Sequence, residues 1–190
     1  MPNHIRIFEN VLSPEFCRDI IKKFDLDQRV EPDPQPDYST RKFLDISLYR
    51  EWSSVNAVFC QHVNRLVGEY FHREGPLAAA THTDWSDDGY VMCLYDVGDA
   101  CILHTDGQCA VEPNNGLRLA TLVFYLNDVP EGGETVFPVQ DVKVSPVEGR
   151  AVMFPVGFTH PHQVMKAKSK RYIMQTWITD PNMVVYPREL

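Results

Sequence analysis

Leu117-Arg118-Leu119-Ala120-Thr121-Leu122-Val123-Phe124-Tyr125-Leu126 is a near-continuous apolar run of strand length, entered from the turn signal Asn114-Asn115-Gly116. An apolar run of this length between turn residues reads as a buried strand. Working outward, similar β-rich runs occupy 90–97, 100–104, 134–138, 142–144, 151–154, 162–165 and 172–179. Gly98-Asp99, Gly132-Gly133 and Glu148-Gly149 punctuate them. Many short strands at even spacing point to a sandwich or barrel, jelly rolls included.

Upstream of Gly89 the pattern differs. Residues 5–8 read as a short first strand. Ser13-Pro14 opens a helix, because Ser caps and Pro suits the first turn. Its apolar stripe is Phe16, Ile20, Ile21 and Phe24. Residues 31–37 carry Pro32, Pro34 and Pro36, which predicts an exposed extended loop outside any sheet. Leu44, Ile46 and Leu48 alternate with polar residues, as in a half-buried strand. From Ser53 to Arg73, Val55, Phe59, Val63, Leu66, Val67 and Tyr70 recur at helical spacing, as in a scaffold helix. The fold expected is mainly β (α+β): a jelly-roll core over about 89–180, with N-terminal helices from a support region of about 1–88 packed outside it. No internal repeat is evident, and one domain over 1–190 is the expectation.

Composition bounds the partners. The 190 residues are 44% apolar and 23% charged, with a formal net charge of −8. That balance argues against a broad nucleic-acid surface, which would carry a basic stripe. No apolar run reaches membrane-spanning length, and Met1-Pro2-Asn3-His4 does not open a signal peptide. Cys17, Cys60, Cys93, Cys101 and Cys109 are odd in number and lack CxxC spacing. Reduced thiols and a cytoplasmic location are therefore expected.

The chemistry concentrates in two stretches. His104-Thr105-Asp106 follows an apolar strand, and alternation would put both side chains on one face. The third ligand is His160 or His162, which lie two apart. His162 is preferred, because Arg171 then lies nine residues on and starts the next apolar strand, while His160 reads as a partly exposed neighbour. Two His and one carboxylate leave iron with open positions for a bidentate keto-acid and O2. An Arg entering a buried strand needs an anionic partner, and a dicarboxylate's far end supplies one through a bidentate fork. The bland alternative is a solvated Arg171 among Lys166, Lys168 and Lys170. Tyr125 is a second candidate donor to that carboxylate, or a core aromatic. A second His-x-Asp copy, His82-Thr83-Asp84, lies in a polar loop with no apolar strand before it, so His104 and Asp106 are favoured. His4, His62 and His72 read as surface or helix-face residues.

At this point the sequence resembles the prolyl 4-hydroxylase-like branch of the Fe(II)/2-oxoglutarate oxygenases. The likeness runs over about 90–180 and more faintly over Phe8 to Cys17. It rests on Leu94-Tyr95 through His104-Thr105-Asp106, Arg118 through Asn127, Gly132-Gly133-Glu134-Thr135-Val136-Phe137-Pro138, and Pro161-His162 through Arg171-Tyr172 to Trp177. The resemblance implies a double-stranded β-helix that requires Fe(II), 2-oxoglutarate and O2, with ascorbate a candidate accessory. By position it makes His104, Asp106 and His162 the iron ligands, and Arg171 with Tyr125 the holders of the 2-oxoglutarate C5 carboxylate. It places Tyr95, Arg118 and Trp177 around a prolyl pocket. Cys101 stands where such sequences usually carry a Tyr, so one pocket hydroxyl is missing. The implied reaction is hydroxylation of a substrate C–H, with release of succinate and CO2. The substrate expected is a prolyl residue of a peptide or protein. The alternatives are a free amino acid or other small metabolite, and a jelly-roll metal-binding module that is no oxygenase. Arg171 and Tyr125 speak against the last. An open groove or a closed cup at the mouth would separate the first two.

Overall fold

The computed structural model describes residues 3–73, 85–107 and 116–184. β1 (Arg6–Phe8) precedes α1 (Pro14–Asp25), whose cap is Ser13: its Oγ accepts from the Phe16 N–H at 3.2 Å. β2 (Glu31–Pro32) and β3 (Lys42–Asp45) make a hairpin. Two 3-10 turns, Ile46–Leu48 and Arg50–Trp52, lead into α2 (Ser53–Arg73). The β region follows: β4 (Ser86–Asp87), β5 (Val91–Tyr95), β6 (Cys101–His104), β7 (Gly116–Tyr125), β8 (Thr135–Phe137), β9 (Val142–Val144), β10 (Ala151–Pro155), β11 (His162–Val164) and β12 (Arg171–Val184).

Among the described residues these strands form two antiparallel sheets. The larger runs β1-β10-β7-β12-β5-β3-β2, with β4 paired to β12, and the smaller runs β6-β11-β8-β9. The period-two alternation of β7 and β12 explains their near-continuous apolar sequence, because both faces are covered. Leu122, Phe124, Tyr172, Met174 and Ile178 face Cys17, Ile20, Phe24, Phe59, Val63 and Leu66 of the two helices. Val123, Tyr125 and Ile173 face Phe137, Val144 and Val164 of the smaller sheet. This is the expected jelly roll with its helices outside, and the space between the sheets is where site residues gather.

Two expectations are corrected. The prolines of 31–37 predict a loop outside any sheet, yet Glu31 and Pro32 pair with Phe43 and Lys42. β2 is an edge strand, where a missing N–H faces no partner and Pro is tolerated. The alternation at Leu44, Ile46 and Leu48 is a strand only as far as Asp45. The Asp45 carboxylate accepts from the Ser47 N–H at 3.0 Å and starts a 3-10 turn instead, leaving Leu48 exposed. His82-Thr83-Asp84, Cys109, the Asn114-Asn115 turn and the side chain of His72 lie outside the described residues.

Candidate active site

β6 and β11 are neighbours in the smaller sheet, and their register sets His104 opposite His162. The two rings stand 4.2 Å apart, and one ligand atom from each of His104, Asp106 and His162 lies within 4.8 Å of the others. Asp106 does not owe its place to strand alternation, since β6 ends at His104. Instead its backbone carbonyl accepts from the Gly157 N–H at 3.1 Å. Its Oδ2 accepts from the Thr121 hydroxyl and, at 3.3 Å, from Trp177 Nε1. The Nδ1 of His104 meets the Ile102 carbonyl at 2.8 Å, and the Nδ1 of His162 meets the His160 carbonyl at 3.1 Å. Each carbonyl fixes the Nδ1–H tautomer and leaves Nε2 as the ligating atom.

Burial opposes charge on His104 and Asp106, but they lie 3.6 Å apart and support each other's ionised form. The His104 imidazole is pushed up to about 10 and the Asp106 carboxyl is held well below the usual carboxylate range. Burial pushes His162 down, so it is a neutral donor. Two imidazoles and one carboxylate on one side of a pocket fit iron with free positions opposite. Thr121→Val keeps the shape and removes one bond to Asp106. Fe(II) affinity is expected to fall about 10- to 100-fold in an anaerobic titration, with an unchanged circular dichroism spectrum.

Arg171, Ile173, Gln175 and Trp177 lie along the site face of β12. Arg171 is 1% exposed, which removes the solvated reading. Its Nη2 donates to Thr135 Oγ1 at 3.2 Å, while Nε and Nη1 have no hydrogen-bond partner. The guanidinium sits 4.7 Å from the Tyr95 ring centroid and 5.3 Å from that of Tyr125. The Tyr125 hydroxyl meets Thr135 Oγ1 at 2.8 Å. Gly133, at φ +70, borders this cradle; a Cβ there would stand 3.2 Å from the Arg171 Cδ. Two unpartnered nitrogens on a buried cation are what a bidentate carboxylate satisfies.

Tyr95 thus lies under Arg171, at the opposite end of the pocket from Trp177. Arg118 stacks on Trp177 at 3.9 Å and pairs with Asp88 at 2.6 Å. His160 is not part of the trio. It precedes β11, is 6% exposed rather than partly exposed, and its Nε2 meets the Asn3 carbonyl at 2.8 Å. Its Nδ1 meets the Thr159 hydroxyl at 2.9 Å. Sequence reasoning passed over several pocket residues. Thr121 and Thr135 lie within apolar strand runs and carry no signal of their own. Tyr38, Arg41 and Gln175 carried no motif signal. Arg41 lies against the pocket, pairs with Asp33 at 2.9 Å and donates to Gln175 Oε1 at 3.2 Å.

A family model described as the 2OG-Fe(II) oxygenase superfamily matches residues 80–179. Probable prolyl 4-hydroxylase 3 of Arabidopsis thaliana is 56% identical over 34 residues, which are 18% of this chain and 12% of that protein. The viral collagen prolyl hydroxylase of Paramecium Bursaria Chlorella virus-1, solved as a 2OG complex, superposes with a TM-score of 0.70 at 19% identity, covering 94% of this chain and 96% of that one. A Pseudomonas putida prolyl-4-hydroxylase gives 0.65 at 20%, covering 94% and 93%. A Trichoplax adhaerens prolyl hydroxylase, in complex with a hypoxia inducible factor peptide fragment, gives 0.70 at 19%, covering 94% and 84%. At such identities the likeness is one of fold.

Proposed function

The chain belongs to the 2OG-Fe(II) oxygenase superfamily, and on that premise we propose that it hydroxylates a prolyl residue within a peptide or protein. In this reading His104, Asp106 and His162 hold Fe(II), and Arg171 with Tyr125 holds the C5 carboxylate of 2-oxoglutarate. Tyr95, Arg118 and Trp177 shape the pocket around cosubstrate and substrate. All 190 residues serve as one oxygenase domain. With iron, keto-acid and O2 bound, the centre supplies oxidative decarboxylation coupled to C–H hydroxylation. The protein's own groups bind, orient and exclude water; none is needed as a general base.

The observation that carries the oxygenase reading is the pair of unpartnered Arg171 nitrogens at the end of the pocket that also holds the His–Asp–His trio. The choice of a peptide-bonded substrate rests on charge. Arg41, which lines the pocket, and Arg118, which stacks on the pocket residue Trp177, are each matched by a carboxylate, Asp33 and Asp88. A free amino acid brings a carboxylate that wants an unpaired cation. A residue inside a peptide brings only neutral amides, which accept from a paired guanidinium without adding charge. The prolyl hydroxylases of similar fold support the choice of proline. We also place the protein in the cytoplasm, a reading supported by the free thiols of Cys17, Cys60, Cys93 and Cys101. No helix among the described residues is long and apolar enough to cross a membrane.

The test is an anaerobic titration with Fe(II) and then 2-oxoglutarate, followed by succinate release with prolyl peptides and with free proline. A visible charge-transfer band and peptide-dependent succinate are expected. No band in folded protein would sink the oxygenase reading. A band with turnover of free proline alone would replace the peptide by a small metabolite.

A further inference from the structure

The two imidazoles of the trio are held very unequally. His162 is packed between Phe154, at 4.8 Å, and Phe137, at 5.5 Å, and is 6% exposed. His104 ends an edge strand of the smaller sheet, where one side of β6 has no partner strand within that sheet. Besides His162, the aromatic ring against it is Tyr38, edge-on at 4.8 Å and 69°.

Tyr38 comes from outside the jelly-roll core, on the β2–β3 hairpin that the Pro-rich stretch builds. Its backbone is tied to the open edge of β6. The Ile102 N–H donates to the Tyr38 carbonyl at 3.1 Å, and Thr40 N–H to the Ala100 carbonyl at 3.3 Å. Ala100 N–H returns a bond to the Thr40 hydroxyl at 3.2 Å, and Ser39 bridges to Cys101. The base of the hairpin is pinned by the Asp33–Arg41–Gln175 chain to β12. The backbone that carries Tyr38 is therefore tied to β6 and, through Arg41, to β12, and this sets its ring against His104.

We propose that Tyr38 is the positioning residue of His104: its ring holds that imidazole in the plane from which Nε2 meets the metal, as Phe137 and Phe154 do for His162. The proposal rests on the iron reading of the trio. It assigns the Pro-rich hairpin a task in the metal centre. Without the ring, His104 keeps its Nδ1 contacts with the Ile102 carbonyl at 2.8 Å and the Cys101 sulfur at 3.6 Å, both on one edge, but gains freedom to rotate about that edge. A loosened ligand loses affinity on the scale seen when outer partners of metal ligands are removed, roughly 10- to 100-fold.

The experiment compares wild type, Tyr38→Phe, Tyr38→Leu and Tyr38→Ala. Fe(II) affinity is titrated anaerobically on each whole protein, with and without 2-oxoglutarate, and unfolding temperature is recorded without metal. Tyr38→Ala and Tyr38→Leu are expected to lose Fe(II) affinity by about tenfold or more, and Tyr38→Phe to restore it to within about threefold. Leu keeps apolar volume, so it answers for a fold that Ala disturbs. Affinity within about threefold of wild type in Tyr38→Leu would overturn the proposal and leave the iron site standing. Equal loss in Tyr38→Phe would also overturn it, by moving the effect to the hydroxyl. Failure of wild type to bind Fe(II) would remove the iron reading itself, and this proposal with it.

Discussion

Arg171→Met is expected to abolish tight 2-oxoglutarate binding while leaving the metal-free protein as stable as wild type or more so. The two halves of that result have one cause. Arg171 is almost fully buried, and only Nη2 has a hydrogen bond. The ring faces of Tyr95 and Tyr125 compensate part of the charge, but two N–H-bearing nitrogens remain unsatisfied. Met fills a similar length with nothing to desolvate, and swapping a buried charge for an apolar group of similar volume is often neutral or stabilising. The same substitution removes the fork that receives the C5 carboxylate. Truncating one partner of a buried charged pair costs about 2–5 kcal/mol, so the 2-oxoglutarate KM rises by roughly 30-fold or more. Arg171→Lys should fall between, since a point charge replaces a planar fork. Added 2-oxoglutarate should raise the unfolding temperature of the Fe(II)-loaded wild type and not of Arg171→Met. An unchanged KM would strip Arg171 of its role. A large drop in stability would make it a structural residue.

The difference between what was legible in the sequence and what was not follows from the range of the interactions. The apolar runs of β7 and β12 and the turn residues around them are local signals, so their strands are legible directly, and so is the helical spacing from Ser53 to Arg73. Which face of β12 meets the site, with Arg171, Ile173, Gln175 and Trp177 on it, emerges only when the smaller sheet closes over that side. Where a side chain competes with the backbone, the pattern misled. Asp45 capped a 3-10 turn in the middle of an apparent strand. Asp106 reached the trio through Gly157, Thr121 and Trp177, which lie 15 to 71 residues away, and not through the strand its spacing suggested. Arg41 and Tyr38 meet the pocket because the hairpin folds across two sheets. No periodicity records such a contact, and Pro-rich composition pointed the other way.

The spacing to Arg171 favours His162 over His160 as the third ligand, and the geometry makes the two substitutions separable. His162→Ala removes an imidazole whose Nδ1 is held by the His160 carbonyl and whose Nε2 is left to ligate, and it leaves the trio with two members. Fe(II) binding and Fe(II)-dependent succinate release are expected to fall to background. The ring is packed by Phe137 and Phe154, so a cavity forms and stability also drops. His162→Gln, which refills much of that space, should regain stability without regaining iron. His160→Ala is a different lesion. It deletes hydrogen bonds to the Asn3 carbonyl and the Thr159 hydroxyl in a buried position, at a cost of about 1–3 kcal/mol in chemical denaturation. Its backbone carbonyl, which fixes the His162 tautomer, survives the substitution. Iron binding should therefore remain, weakened only as far as the loop before β11 loosens. If His160→Ala lost iron at full stability while His162→Ala kept it, the third ligand would be His160, and the pairing of His162 with His104 across β6 and β11 would be scaffold alone.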